Sequence, residues 1–395
     1  MHNILVINAG SSSIKYQLID CVTGQRRTSG LVERIGEANG RVQHEVPGEA
    51  FVWETPIADH SAAFRQMVHG FAKAGTPLAE LDVAAVGHRV VQGGSEFHGP
   101  TLITDEVAEQ ILALGELAPL HNPANYSAIV AARETFPDVP HVAVFDTAFH
   151  QTMPEAAYSY AIDKNAAEKY GVRRYGFHGI SHQVVSQRAA ALLDRPVSEL
   201  KQIILHLGNG ASACAIDGGR SVDTSMGMTP LAGLVMGTRS GDIDPGALLH
   251  LMRAGLDVDA VDRLLNKESG LLGLAGSNDM RDIRAGVAAG DEAAMLAFEV
   301  TIRRLKHYIG AYLALLGGAD TIVFTAGVGE NHVPLRAAAC AGLEWFGIEI
   351  DAERNAAPSS AARVISSDSS RVTVLVVPTD EEAEIARQTL EVVAG

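Results

Sequence analysis

Arg89 and Arg239 are the residues of this chain best suited to hold an anion. Arg89 lies in Gly87-His88-Arg89-Val90-Val91-Gln92-Gly93-Gly94, read as a loop that follows the apolar strand 83–86. Arg239 lies in Gly237-Thr238-Arg239-Ser240-Gly241, a segment too small and polar to be core. A guanidinium fork matches carboxylate or phosphoryl oxygens bidentately, which an ammonium does not. The plainer reading of either arginine is a surface salt bridge. Two carboxylates stand at the ends of apolar runs: Asp146 after 142–145 and Glu381 after 372–377. Together they suit Mg²⁺, which takes few carboxylates and keeps several waters. Separately they would be a strand-end cap and a first-turn helix glutamate. His178, between Phe177 and Gly179, has little to pack against and could donate to a phosphoryl oxygen. His206 could do the same for nucleotide phosphates. His121 reads more readily as a packed structural histidine. Phosphoryl transfer asks a protein for alignment and charge neutralisation rather than covalent chemistry, and this set supplies both.

Two glycine turns must position these groups. Asn8-Ala9-Gly10-Ser11-Ser12-Ser13 separates Ile4-Leu5-Val6-Ile7 from Ile14-Lys15-Tyr16-Gln17-Leu18-Ile19. Gly208-Asn209-Gly210-Ala211-Ser212 separates Ile203-Ile204-Leu205 from Cys214-Ala215-Ile216. Each predicts strand, tight turn, strand. Small residues there let backbone N–H groups approach phosphate oxygens. Ser11, Ser12 and Ser13 are turn residues whose hydroxyls could face a γ-phosphate. Lys15, one strand position on, is either an exposed lysine or a phosphate contact. The repeat suggests two related halves. In the second half an amphipathic helix over 298–316 ends at Gly317-Gly318. A strand over 321–325 and the loop Gly327-Val328-Gly329-Glu330-Asn331 follow. A last buried strand over 372–377 precedes a closing helix from about 382 to 393. The stretch 356–370 reads as a surface loop.

The chain has 395 residues, 47% apolar and 20% charged, with a net charge of −16. This is a globular composition with room for two or three domains. The charge argues against nucleic acid or an anionic membrane as the main partner. Three separated cysteines predict neither a disulfide framework nor a zinc knuckle. No basic leader or long apolar span is present, so a cytoplasmic location is expected. Gly-Lys never occurs, which removes a P-loop. His178 and His182 are separated by Gly-Ile-Ser and lack a zinc protease's glutamate.

Eight blocks, in order, resemble the acetate kinase family of the sugar kinase, actin and chaperone ATPase superfamily. They are Ile7-Asn8-Ala9-Gly10-Ser11-Ser12-Ser13-Ile14-Lys15, Gly87-His88-Arg89-Val90-Val91, Phe145-Asp146-Thr147-Ala148-Phe149-His150 and Tyr175-Gly176-Phe177-His178-Gly179. His206-Leu207-Gly208-Asn209-Gly210, Met236-Gly237-Thr238-Arg239-Ser240-Gly241-Asp242, Gly327-Val328-Gly329-Glu330-Asn331 and Pro378-Thr379-Asp380-Glu381-Glu382 complete them. No catalytic position departs from the family pattern.

The resemblance implies an α/β fold of two ribonuclease-H-like, actin-like ATPase domains with a nucleotide cleft between them. They are expected at 1–150 plus the closing helix 383–395, and at 151–382. It implies a homodimer that converts acetate and ATP to acetyl phosphate and ADP, reversibly, with Mg²⁺ or Mn²⁺. Arg89 and Arg239 would contact the carboxylate or the moving phosphoryl group, and Asn8 and Glu381 the metal. Asp146 carries the family's acid/base label. A carboxylic acid with a pKa near 4.3 is already ionised at pH 7, so an orienting role for Asp146 is the alternative. Val91, Leu120, Phe177 and Pro230 would form the acyl pocket, although as residues they read as ordinary core. Asp279, Met280 and Arg281 would contact adenosine. Propionate or butyrate is a close alternative acceptor, since a methylene changes pocket binding by only about 1–3 kcal/mol. A sugar kinase would need a hydroxyl-binding loop and has less use for paired arginines. A non-enzymatic actin-like ATPase would carry an interaction subdomain.

Overall fold

Both glycine turns close antiparallel hairpins, and each hairpin seeds a mixed sheet. The computed structural model describes residues 3–395. The chain divides into two units, residues 1–149 with 380–395, and residues 150–379.

The first unit carries an eight-stranded sheet in the order β5-β4-β3-β2-β1-β6-β8-β7. Its strands are β1 (Asn3–Ala9), β2 (Ser13–Asp20), β3 (Arg26–Glu33), β4 (Gly40–Val46), β5 (Glu49–Thr55), β6 (Val83–Val90), β7 (Thr101–Leu102) and β8 (His141–Phe145). β1, β6 and β8 run parallel, whereas β1 through β5 form an antiparallel meander. β8 is buried along its whole length, as a parallel strand covered on both faces must be. Leu5, Ile7, Tyr16 and Leu18 pack with Phe64 and Phe71 of the helix His60–Lys73 in the main core.

The closing helix Glu381–Ala394 covers β1, β6 and β8. Asp380 caps it by accepting from the Ala383 N–H, and Glu381, Glu382 and Glu384 fill its first turn, where the helix dipole favours anions. Gly87 allows the close approach. A β-carbon there would fall 2.4 Å from Thr389 Oγ1 and 2.9 Å from Ile385 Cγ2.

The second unit carries a six-stranded sheet in the order β11-β10-β9-β12-β14-β13. Its strands are β9 (Lys201–Leu207), β10 (Ala211–Asp217), β11 (Arg220–Thr224), β12 (Thr321–Thr325), β13 (Arg363–Val364) and β14 (Thr373–Val376). β9, β12 and β14 are parallel and β9-β10-β11 antiparallel. The series β11-β10-β9-β12-β14 therefore repeats β3-β2-β1-β6-β8. This duplication is that of an actin-like ATPase fold.

Five sequence expectations need correction. Arg89 is not in a loop: its backbone pairs within the sheet as the penultimate residue of β6. Residues 326–331 form a short helix rather than a loop, entered through Ala326 at φ +63°. The stretch 356–370 contains β13, and Ser366 bridges Ile350. Residues 380–382 fall in the first unit, because their helix docks on β1, β6 and β8. The helix predicted over 298–316 begins earlier, at Glu292, where Asp291 supplies the cap, and ends at Gly317 in the left-handed conformation.

Candidate active site

In the first unit, strand register does the assembly. Lys15 pairs with Asn8 across β2 and β1, and Asn8 pairs with Arg89 across β1 and β6. Three side chains distant in sequence thus stand abreast on neighbouring strands. Asp146 follows the last residue of β8, the next strand over. Arg89 grips it with both arms of its fork, Nε to Oδ1 at 3.0 Å and Nη2 to Oδ2 at 2.5 Å. Arg89 Nη1 donates to Asn8 Oδ1 at 3.2 Å, and Glu381 Oε2 lies 3.8 Å from Arg89 Nε. Asp146 is 1% exposed and Arg89 20%. Burial alone would weaken the guanidinium's hold on its proton; Asp146 and Glu381 reverse this and raise its pKa. Burial pushes the Glu381 carboxyl up to about 7; Arg89 opposes that rise and Asp146 adds to it. Three of the five N–H groups of Arg89 are committed, which leaves two for a ligand.

The turn beside this cluster is braced by residues that sequence reasoning passed over. Asn125 donates to the Ala9 carbonyl at 2.7 Å and accepts from the Val91 N–H at 3.1 Å. Asn122 accepts from the Gln92 N–H and donates to its carbonyl. His60 Nε2 lies 2.9 Å from the Gly10 carbonyl. Only the run His121-Asn122-Pro123-Ala124-Asn125, a helix start with proline, hinted at them. Ser11 and Ser12 are exposed at the hairpin tip, and Lys15 is exposed. Val91 is buried, Leu120 is 50% exposed, and His121 occupies the cap position of the helix Asn122–Thr135.

In the second unit, His178 caps the helix Gly179–Leu192 with φ +57°. That conformation costs a non-glycine residue about 1–3 kcal/mol and is typically retained at functional sites. Its ring stacks on His206, with centroids 4.2 Å apart. His178 Nδ1 lies 2.9 Å from Ser212 Oγ, and His206 Nδ1 lies 2.8 Å from Ser181 Oγ. Arg239 Nη1 donates to the Pro230 carbonyl at 2.7 Å. No carboxylate among the described residues pairs with Arg239, and burial lowers its pKa. A β-carbon on Gly210 would lie 3.5 Å from both Arg239 Nη2 and His178 Nε2. The second turn therefore brings an arginine and a histidine to one point, with room for a ligand atom only because Gly210 has no side chain. Phe177 is buried, and its carbonyl lies 3.0 Å from His150 Nε2.

Beside this point the second unit holds a cavity of about 900 Å³. Leu207, Gly208, Asn209, Asp279, Met280, Arg281, Gly327, Val328 and Asn331 line it, as do Met236, Leu271 and Arg284, which sequence reasoning missed. Asp279 caps the helix Met280–Ala289, and its bonds to Arg281, first the side chain and then the N–H, lower its pKa to about 2. Gly329 and Glu330 are not part of the lining. Their carbonyls accept from Arg336 Nη1 at 2.9 and 2.8 Å, and Glu330 Oε1 accepts from the Thr379 N–H at 3.3 Å. Arg336 is fully buried and also bonds Asn355 through its side chain and carbonyl. It fixes the segment 326–331 against the sheet. No local pattern distinguishes it from a surface arginine of the helix Val333–Cys340.

The arrangement can neutralise anionic oxygens in both units, with a cavity of nucleoside size in the second. Residues 3–387 match the family model described as the acetokinase family. A protein of Leifsonia xyli subsp. xyli named acetate kinase is 62% identical over 396 residues, covering 100% of both chains. The crystal structure of Porphyromonas gingivalis acetate kinase superposes with a TM-score of 0.95 at 43% identity, covering 100% of both chains. That of a propionate kinase from Francisella tularensis subsp. tularensis SCHU S4 gives 0.93 at 40%, covering 99% of this chain and 100% of its own. With the family pattern running from β1 into the closing helix, this chain belongs to the acetokinase family.

Proposed function

We propose that the protein catalyses reversible transfer of the γ-phosphoryl group of ATP to acetate, giving acetyl phosphate and ADP. The observation that carries this reading is Arg239. It is a half-buried guanidinium with no carboxylate partner among the described residues, aimed with His178 at one point beside Gly210. Desolvating a cation without a counter-ion costs free energy that an arriving anion recovers.

The steps follow from the side chains. The two uncommitted N–H groups of Arg89 hold the acetate carboxylate, while Asp146 keeps the guanidinium plane fixed. A carboxylate oxygen attacks the γ-phosphorus, the bond to the β–γ bridging oxygen breaks, and ADP leaves with that electron pair. Arg239 and His178 donate to the equatorial oxygens as charge shifts onto them. Acetate enters ionised, so no base is needed and Asp146 acts as an orienting group. The segments 207–210, 279–281 and 326–331 bind the nucleotide. Val91, Leu120, Phe177 and Pro230 surround the acyl methyl.

Asn8, Asp146 and Glu381 offer only oxygen donors to a cation, and Glu381 lies 3.8 Å from an Arg89 fork whose hydrogen bonds go to Asp146 and Asn8. This set fits Mg²⁺, a hard ion that keeps most of its waters. Asn8 and Glu381 would hold it, and it would neutralise charge on the phosphates. A homodimer in the cytoplasm completes the reading. No helix among the described residues is long and apolar enough to cross a membrane.

Trapping the acyl phosphate with hydroxylamine, in parallel reactions with acetate, propionate, butyrate and glucose, tests the assignment. Acetate should give the highest kcat/KM. A higher value with propionate or butyrate would move the acceptor, and ADP formation with glucose but no hydroxamate would overturn the reading. Sedimentation velocity tests the dimer.

A further inference from the structure

His182 and Ser212 have no place in the transfer step, yet they lie directly behind His178. Both are fully buried. Ser212 Oγ stands between two imidazoles, 2.8 Å from His182 Nε2 and 2.9 Å from His178 Nδ1. A hydroxyl owns one proton, so it donates to one ring and accepts from the other. The direction of that donation sets which nitrogen of His178 carries its proton.

The far side of His182 decides the direction. Its Nδ1 is buried and meets no polar partner. Burial, with His150 and His206 nearby, holds its pKa well below the ordinary histidine value, so the ring is neutral and carries a single proton. A proton on Nδ1 would orphan a buried N–H, a rarer defect than an unfilled acceptor. The proton therefore belongs on Nε2, where Ser212 accepts it.

We propose that His182 and Ser212 form a relay that locks His178 in the tautomer protonated at Nε2. His182 Nε2–H donates to Ser212 Oγ, whose own proton goes to His178 Nδ1. The Nε2–H of His178 is then the group that shares the point beside Gly210 with Arg239. In the opposite tautomer a lone pair would face the anion and repel it. His182 and Ser212 are positioning residues, and their effect on rate rests on the contact proposed for His178.

The test uses full-length protein with ¹⁵N-labelled histidine. Two-bond ¹H–¹⁵N correlations distinguish the tautomers, and His178→Gln assigns the signal. Wild-type His178 should show the Nε2–H pattern. Ser212→Ala should give a mixture of tautomers and a kcat lowered roughly tenfold with little change in KM for ATP. Ser212→Thr, which keeps the hydroxyl, should restore the single tautomer. A wild-type His178 that is protonated at Nδ1, or at both nitrogens, overturns the relay even if both Ser212 variants misfold. So does a Ser212→Ala spectrum that still shows only Nε2–H. A tautomer that shifts while kcat stays constant upholds the relay and instead removes His178 from phosphoryl transfer.

Discussion

Arg89 and Asp146 should be energetically inseparable, and a double-mutant cycle measures this. In Arg89→Ala the carboxylate of Asp146, 1% exposed, loses its bidentate partner. Stranding one member of a buried pair costs about 3–5 kcal/mol. Asp146→Asn is milder, because Arg89 is 20% exposed and still faces Glu381 and Asn8. Turning charge-assisted bonds into neutral ones there costs about 1–2 kcal/mol. The double variant has no charge at position 146 to strand, and Glu381 loses Arg89 in the single and double variants alike, so that loss cancels from the cycle. Its loss should fall short of the sum of the singles by about 2 kcal/mol, well above the ~0.5 kcal/mol scatter of independent sites. For a unit of this size, Arg89→Ala should lower the melting temperature by roughly 6–20 °C. Tryptophan fluorescence isolates the relevant unit. Trp53 packs against His69 and donates to Gln66 at 2.9 Å, whereas Trp345 in the second unit is 91% exposed and has little to report. Urea titrations followed by fluorescence supply the four free energies. Additivity within ~0.5 kcal/mol, or an Arg89→Ala loss below ~1 kcal/mol, would refute the claim that Arg89 neutralises Asp146.

Three further outcomes are expected. Arg239→Lys keeps the charge and loses the fork, so kcat should fall about 10²–10³-fold with the fold intact and nucleotide affinity little changed; near-normal turnover in a steady-state assay would take Arg239 out of the reaction. Glu381→Ala should raise the Mg²⁺ concentration needed for half-maximal rate more than it raises KM for acetate, as a titration at saturating ATP and acetate would show; an unchanged midpoint would leave Glu381 as a helix-start glutamate only. Gly87→Ala places a methyl 2.4 Å from Thr389 Oγ1, so the closing helix must shift at a cost of about 1–3 kcal/mol, carrying Glu381 with it. Calorimetry should show the destabilisation and kinetics a raised Mg²⁺ requirement; a stability loss with no change in Mg²⁺ requirement would separate Glu381 from the metal.

The sequence by itself determined the family, the α/β class, both glycine hairpins and most of the strands and helices that carry function. Arg239 stood out as a candidate because it sits among small residues, Arg89 because glycines flank its segment, His178 because a glycine follows it, and Asp146 because it ends an apolar run. Those signals are local, and so are hairpins and helix caps. Tertiary structure decided the rest. The alignment of Lys15, Asn8 and Arg89 depends on pairing between residues as far as 81 apart in sequence, and no window contains it. Gly87, read as loop, sits within β6, because its fit against Thr389 and Ile385 exists only once the last helix has docked. That docking also assigns residues 380–382 to the first unit. The structural roles of Arg336, Asn122, Asn125, His182 and Ser212 were not readable from their neighbours in sequence, since a buried polar residue takes its role from partners that only the folded chain supplies.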